Sequence, residues 1–149
     1  MRTSNARRRL TLDTQGIVAA ARQVASPNCD ARPEGEDISL LVVHNISLPP
    51  GVFGGDTIVR LFTNSLDAAA HPYFALVAGL RVSSHFLIRR DGELLQFVAC
   101  TRRAWHAGQS SWRGRARCND FSIGVELEGT DDAAYEAAQY ATLARLSKL

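Results

Sequence analysis

No stretch of this 149-residue chain approaches the roughly 20 consecutive apolar residues that a bilayer-spanning helix requires. The start does not read as a secretory leader either. Arg2, Arg7, Arg8 and Arg9 make a basic start, but Thr11, Asp13, Thr14 and Gln15 stand where an apolar core would follow. The apolar run after Gly16 then ends at Arg22. Residues 1–15 are therefore expected to be a disordered basic extension of a cytoplasmic protein, ahead of a single domain over 16–149. Cysteines are few: Cys29, Cys100 and Cys118, an odd number at wide spacing with no CxxC pair. That excludes a zinc knuckle and a thioredoxin-type site, and free thiols suit a reducing compartment. Net charge is only +2, too little to leave an electrostatic footprint for nucleic acid. The arginines at the start are all that speaks for such an arm, and a solvated tail explains them more simply. No repeat or low-complexity tract occurs.

What is present is an ordinary globular balance, 46% hydrophobic and 21% charged. A chain of this length buries roughly 70% of its unfolded surface. The apolar run 38–43 reads as a strand buried on both faces. It ends at His44-Asn45, and Pro49, Pro50, Gly51, Gly54 and Gly55 then enforce a loop. Asp56 is placed to cap a helix through Phe62. Residues 83–88 and 93–98 read as a hairpin around Asp91-Gly92, a pair suited to positive backbone angles. Residues 26–37 and 106–120 read as loops and 122–127 as a strand. Asp131 or Asp132 is placed to cap a last helix running to Leu149. Strands, helices and a hairpin in this order predict an α/β domain whose mixed central β-sheet is flanked by helices.

Two residues stand out chemically. His44 leaves a strand at its carboxyl end, where open α/β sheets gather ligands. A hydrogen-bonded structural histidine is an open alternative, because a catalytic zinc asks for three protein ligands and a water. Glu126 sits in Ile123-Gly124-Val125-Glu126-Leu127-Glu128-Gly129. Alternation puts Ile123, Val125 and Leu127 on one face and Gly124, Glu126 and Glu128 on the other. A carboxylate in the middle of an apolar strand needs a partner or a task. An ion pair with an arginine is the alternative for Glu126, while Glu128, at the strand end, is expected to be more easily solvated. Trp105 and His106 set an aromatic face and an imidazole before a loop. Arginines at 81, 102, 103, 113, 115 and 117 supply cations that can hold carboxylates. On these residues alone the chain reads as a hydrolase or an acidic-ligand site.

Taken together, the motifs are more specific. Leu-Val-Val-His-Asn-Ile-Ser-Leu-Pro-Pro-Gly (41–51), Phe-Gly-Gly (53–55), His-Pro-Tyr-Phe (71–74), Leu-Arg-Val-Ser-Ser-His-Phe-Leu-Ile-Arg-Arg-Asp-Gly (80–92), Arg-Ala-Trp-His-Ala-Gly (103–108) and Arg-Cys-Asn-Asp-Phe-Ser-Ile-Gly-Val-Glu-Leu-Glu-Gly-Thr (117–130) follow one another. The succession closely resembles the AmpD-type 1,6-anhydro-N-acetylmuramoyl-L-alanine amidases of cell-wall recycling, over residues 16–149. These are similar to phage lysozyme-like amidases and peptidoglycan recognition proteins. The resemblance implies zinc as cofactor with His44 as its first ligand. It implies Glu126 as the catalytic carboxylate, and Asn45, Arg81, Trp105, His106 and Arg117 as substrate-binding residues. The implied partner is an anhydro-muropeptide, with neither nucleic acid nor membrane involved. It further implies a Gly-His and a Lys-x-Asp segment beyond the last helix, carrying the other two ligands and a cationic oxyanion stabiliser. These are absent from the sequence. The expectation is thus an amidase domain lacking its C-terminal portion, with an incomplete zinc site and impaired activity. The alternative is a non-catalytic muropeptide-binding remnant.

Overall fold

The stretch with the steadiest alternation, Ser122–Glu128, becomes an interior strand of the sheet that carries the site. A computed structural model of the chain describes residues 9–149; Arg2, Arg7 and Arg8 of the expected extension lie outside them. Its strands are β1 (Arg22–Gln23), β2 (Cys29–Ala31), β3 (Leu40–Ile46), β4 (Phe86–Ile88), β5 (Leu94–Gln96), β6 (Arg102–Ala104), β7 (Ser111–Trp112), β8 (Arg115–Ala116) and β9 (Ser122–Glu128). The helices are α1 (Thr57–Phe62), α2 (Pro72–Val77) and α3 (Ala137–Leu146), with a 3-10 turn over Cys118–Phe121. Five strands form a mixed sheet in the order β1-β5-β4-β9-β3. β3 and β4 both run parallel to β9, and β4 and β5 form the expected antiparallel hairpin. No described helix is long and apolar enough to cross a membrane.

The alternation read from the sequence sorts the two cores. Val125 and Leu127 join Phe86, Ile88, Leu94 and Leu146 on one side, with Ile123 packed against them. On the other, Leu87 and Leu95 meet Ile58, Leu61 and Phe62 of α1 and Phe74 of α2. Each such side chain, fully buried, contributes on the order of 1.5–3 kcal/mol. Glu126, the register partner of Leu87, faces the second side.

Four expectations need correction. Strand β3 is the edge of the sheet, so it is covered on one face only: Leu41 and Val43 are 40% and 46% exposed. Residues 9–15, exposed apart from Leu10, are tied to the domain. Leu10 is buried in the first core, and Leu12 bridges to Val18 across a turn held by the Asp13 carboxylate. Asp56 spends its side chain on Arg60 at 2.8 Å instead of capping α1. The last helix starts at Ala137, not near Asp131, because Thr130 Oγ1 first closes a turn on the Ala133 N–H. Glu136 and Gln139 then form a reciprocal capping box.

The loop at 26–37 hides strand β2, antiparallel to β6. Two arginines explain why it is ordered. Arg103 forks onto Asp30 at 2.7 and 2.6 Å and reaches Asp120 at 2.5 Å. Arg32 donates to the carbonyls of Cys100, Asn119, Asp120 and Ser122, tying β2 to the start of β9.

His85 is a fully buried structural histidine. Its Nδ1 accepts from the Gly124 N–H at 3.1 Å, so Nε2 carries the proton and donates to the Arg102 carbonyl at 2.9 Å. Burial pushes its pKa down to about 4. The unfolded chain therefore binds the extra proton first. Stability is complete above about pH 6.5 and falls as the pH drops toward 4, by on the order of 3 kcal/mol from His85 alone. Urea unfolding of the wild type and His85→Gln between about pH 7 and pH 4.5 checks this. Parallel pH curves for the two proteins would remove His85 as the cause.

Candidate active site

Parallel register sets the site. His44 of β3 lies directly beside Glu126 of β9 as its Cα partner, so both side chains leave the same face of the sheet. Two and four residues back along β9, Gly124 and Ser122 present the same face. His106, just after β6, lies over Gly124, where a Cβ would come within 2.4 Å of its ring. Its Nδ1 is 2.9 Å from His44 Nε2, and its Nε2 is 3.0 Å from Ser122 Oγ. Asn119 Oδ1 accepts from the backbone N–H groups of His106 and Ala107, fixing the turn that delivers the ring.

The electrostatics separate the two strand carboxylates. Glu128, expected to be the better solvated, is 1% exposed. It is fully engaged instead, accepting from the Gly54 and Arg90 N–H groups and lying 3.6 Å from Arg89. Glu126 is 8% exposed, and its Oε2 is enclosed without a hydrogen-bond partner among the described residues. Burial alone pushes its pKa up to about 8. The ion pair weighed for Glu126 from the sequence is thus not made with any described arginine. Burial also pushes His44 below the ordinary histidine range and His106 down to about 3, the latter helped by the neighbouring His44 and His85. Both imidazoles are neutral at pH 7. A cleft of about 660 Å³ runs along the open edge of β3 and is walled by His44, His106 and the exposed Trp112 of the β7–β8 hairpin.

The family model described as N-acetylmuramoyl-L-alanine amidase matches residues 34–149, which include all of this site. The chain belongs to that amidase family. It is 63% identical over 133 residues to the 1,6-anhydro-N-acetylmuramyl-L-alanine amidase AmpD of Citrobacter freundii, covering 89% of this chain and 71% of the relative. Its identity to AmpD of Escherichia coli K12 is 60% over 134 residues, covering 90% and 73%. A crystal structure of a selenomethionine AmpD derivative superposes with a TM-score of 0.89 at 63% identity, over 91% of this chain and 75% of that one.

Within this amidase fold, the residues named from the sequence fall into two groups. His44, His106 and Glu126 gather on one face. The others stand apart. Asn45 follows Leu127 to the opposite face and bonds Asp131 at 2.6 Å. The Trp105 indole N–H donates to Asp30, beside the Arg103 fork. Arg117 is exposed and pairs with Asp120 at 3.2 Å. Arg81 is exposed in the irregular segment between α2 and β4. His106, expected to bind substrate, already has both ring nitrogens engaged by protein groups.

Sequence reasoning missed Ser122, Asn119 and Gly124. Only Gly124 carried a signal: a glycine between Ile123 and Val125 in a strand marks a close approach. The zinc implied by the family finds an incomplete donor set. No group of three or more His, Cys, Asp or Glu side chains able to hold a metal comes together among the described residues. His44, the ligand that the resemblance implies, has its Nε2 taken by His106.

Proposed function

We propose that this chain is an amidase domain for muropeptides. Its target is the amide between the lactyl group of anhydro-N-acetylmuramic acid and L-Ala of the stem peptide, in cytoplasmic cell-wall recycling. Glu126 is the proton-transfer group. The observation that carries this reading is the buried, unpartnered Glu126 oxygen beside His44. A carboxyl with a pKa near 8 is matched to neutral pH for both halves of a hydrolysis. Ionised, it takes a proton from the attacking water as oxygen bonds to the carbonyl carbon. Protonated, it gives that proton to the departing nitrogen as the C–N bond breaks. Arg81 and Arg117, exposed cations, suit the carboxylates of a stem peptide; Asn45 and Trp105 are held by Asp131 and Asp30, away from His44 and Glu126.

The cofactor reading follows from the donor set. With one family-type ligand where catalytic sites use three, zinc is held weakly and turnover is correspondingly impaired. Equilibrium dialysis is expected to find far less than one zinc per chain at micromolar free metal. Tight one-to-one binding abolished by His44→Ala would show that other ligands exist.

The incomplete donor set equally supports a second reading, a muropeptide-binding domain without turnover. Calorimetry and product analysis with anhydro-muramyl tripeptide separate the two. Saturable binding with slow release of free peptide supports the amidase. Binding without release supports the second reading, and no binding at all defeats both.

A further inference from the structure

Ser122 and His106 do more than fill space beneath His44. Ser122 is fully buried, and the single partner of its hydroxyl among the described residues is His106 Nε2 at 3.0 Å. His106 Nδ1 in turn stands 2.9 Å from His44 Nε2. A nitrogen–nitrogen contact of that length needs one N–H and one lone pair. The three groups can therefore be ordered in only two ways. If His44 donates, His106 donates to Ser122, and the serine proton is left buried with no acceptor. If Ser122 donates, every member of the chain is satisfied: its O–H goes to His106 Nε2, and His106 Nδ1–H goes to His44 Nε2. An unsatisfied buried donor is the costlier arrangement, so the second order wins.

We infer that Ser122 and His106 form a one-way hydrogen-bond relay that holds His44 as its Nδ1–H tautomer, turning its open nitrogen into a donor. That nitrogen has no partner among the described residues, and His44 lines the cleft. The seat is built for the purpose: Gly124 leaves room for the His106 ring, and Asn119 clamps the backbone on either side of it. Two consequences follow. In the metal-free chain His44 offers an N–H to an oxygen of a ligand, and under the amidase reading that oxygen is the carbonyl of the scissile amide. A cation at His44 must first reverse the relay, which adds to the incomplete donor set as a reason for weak metal binding. Ser122 and His106 are thus positioning residues that act through His44.

The test is ring-nitrogen NMR on the full chain at neutral pH with chelator present, which reads the tautomer of each histidine directly. The wild type is expected to show His44 and His106 both protonated at Nδ1. His106→Phe breaks the relay at its middle while keeping a ring in the seat. It is expected to lower the Nδ1–H to Nε2–H ratio of His44 by roughly fivefold, the worth of one ordinary hydrogen bond. His44 found as Nε2–H in the wild type overturns the relay, and so does an unchanged His44 ratio in His106→Phe. Should His106→Phe fold poorly, the wild-type spectrum decides alone. Because the measurement involves no substrate, its failure leaves the amidase reading intact. Failure to bind muropeptide, with the tautomers as stated, sinks that reading and not the relay.

Discussion

Replacing Glu126 by Gln is expected to make the protein more stable and less active at once. The carboxyl titrates near 8 in the fold and near 4.5 in the unfolded chain. Between those values the native state holds a proton that the unfolded state has released. Its contribution is therefore fully present below about pH 4.5 and is lost as pH rises toward 8. At pH 7 the buried carboxyl costs on the order of 3 kcal/mol relative to a neutral side chain of the same shape. Glu126→Gln removes that cost, and its advantage in urea unfolding should grow from pH 5 to pH 8 in chelator-treated protein. Whatever turnover the chain shows on anhydro-muramyl tripeptide should fall about 10²- to 10⁴-fold. A destabilised Glu126→Gln would mean that the carboxylate has a structural partner, and retained turnover would mean that another group moves the proton. Glu128→Gln is the contrast: it weakens the acceptor of the Gly54 and Arg90 N–H groups and should lower stability.

Gly124→Ala should be damaging out of proportion to one methyl group. The added carbon would sit 2.4 Å from His106 Cγ and 2.6 Å from Cδ2, ring atoms that cannot bend away. His106 must leave its seat, and with it go the bonds to His44 and Ser122. Overpacking of this kind costs roughly 1–3 kcal/mol, and the broken hydrogen bonds add about 1 kcal/mol each. A fall of about 3–5 kcal/mol in unfolding free energy is expected, with loss of the His44 tautomer preference. A Gly124→Ala protein as stable as the wild type, with His44 unchanged, would show that the ring has somewhere else to go.

Strand β9 was readable because its period is local: a residue's face follows from counting by two, and Ile123, Val125 and Leu127 sort from Glu126 without any knowledge of neighbours. The hairpin at Asp91-Gly92 was readable for the same reason; Gly92 has φ 84° and its N–H closes the turn on Arg89. Strand β3 defeated that reasoning. Whether Leu41 and Val43 are covered depends on which strand lies beside them, and a run of Leu and Val looks alike at the centre and the edge of a sheet. Glu128 failed similarly, since its shelter comes from Gly54 and Arg89, far away in the chain. His106 and Trp105 are adjacent in sequence, yet one ring reaches His44 and the other Asp30. The resemblance proposed the residues, but only the fold shows which of them share a face.

The position of β9 fixes an order in time. It pairs with β3, whose Leu40 lies opposite Ser122, and with β4, whose Phe86 lies opposite Val125. During synthesis the ribosome delivers both neighbours long before the strand that joins them, so the sheet cannot close until Glu128 has cleared the exit tunnel. Until then β3 and β4 wait with their edges bare, and such long-range pairing folds slowly. A nascent chain stalled before Ser122 holds His44 but nothing to align it with, which makes it a natural client for chaperones.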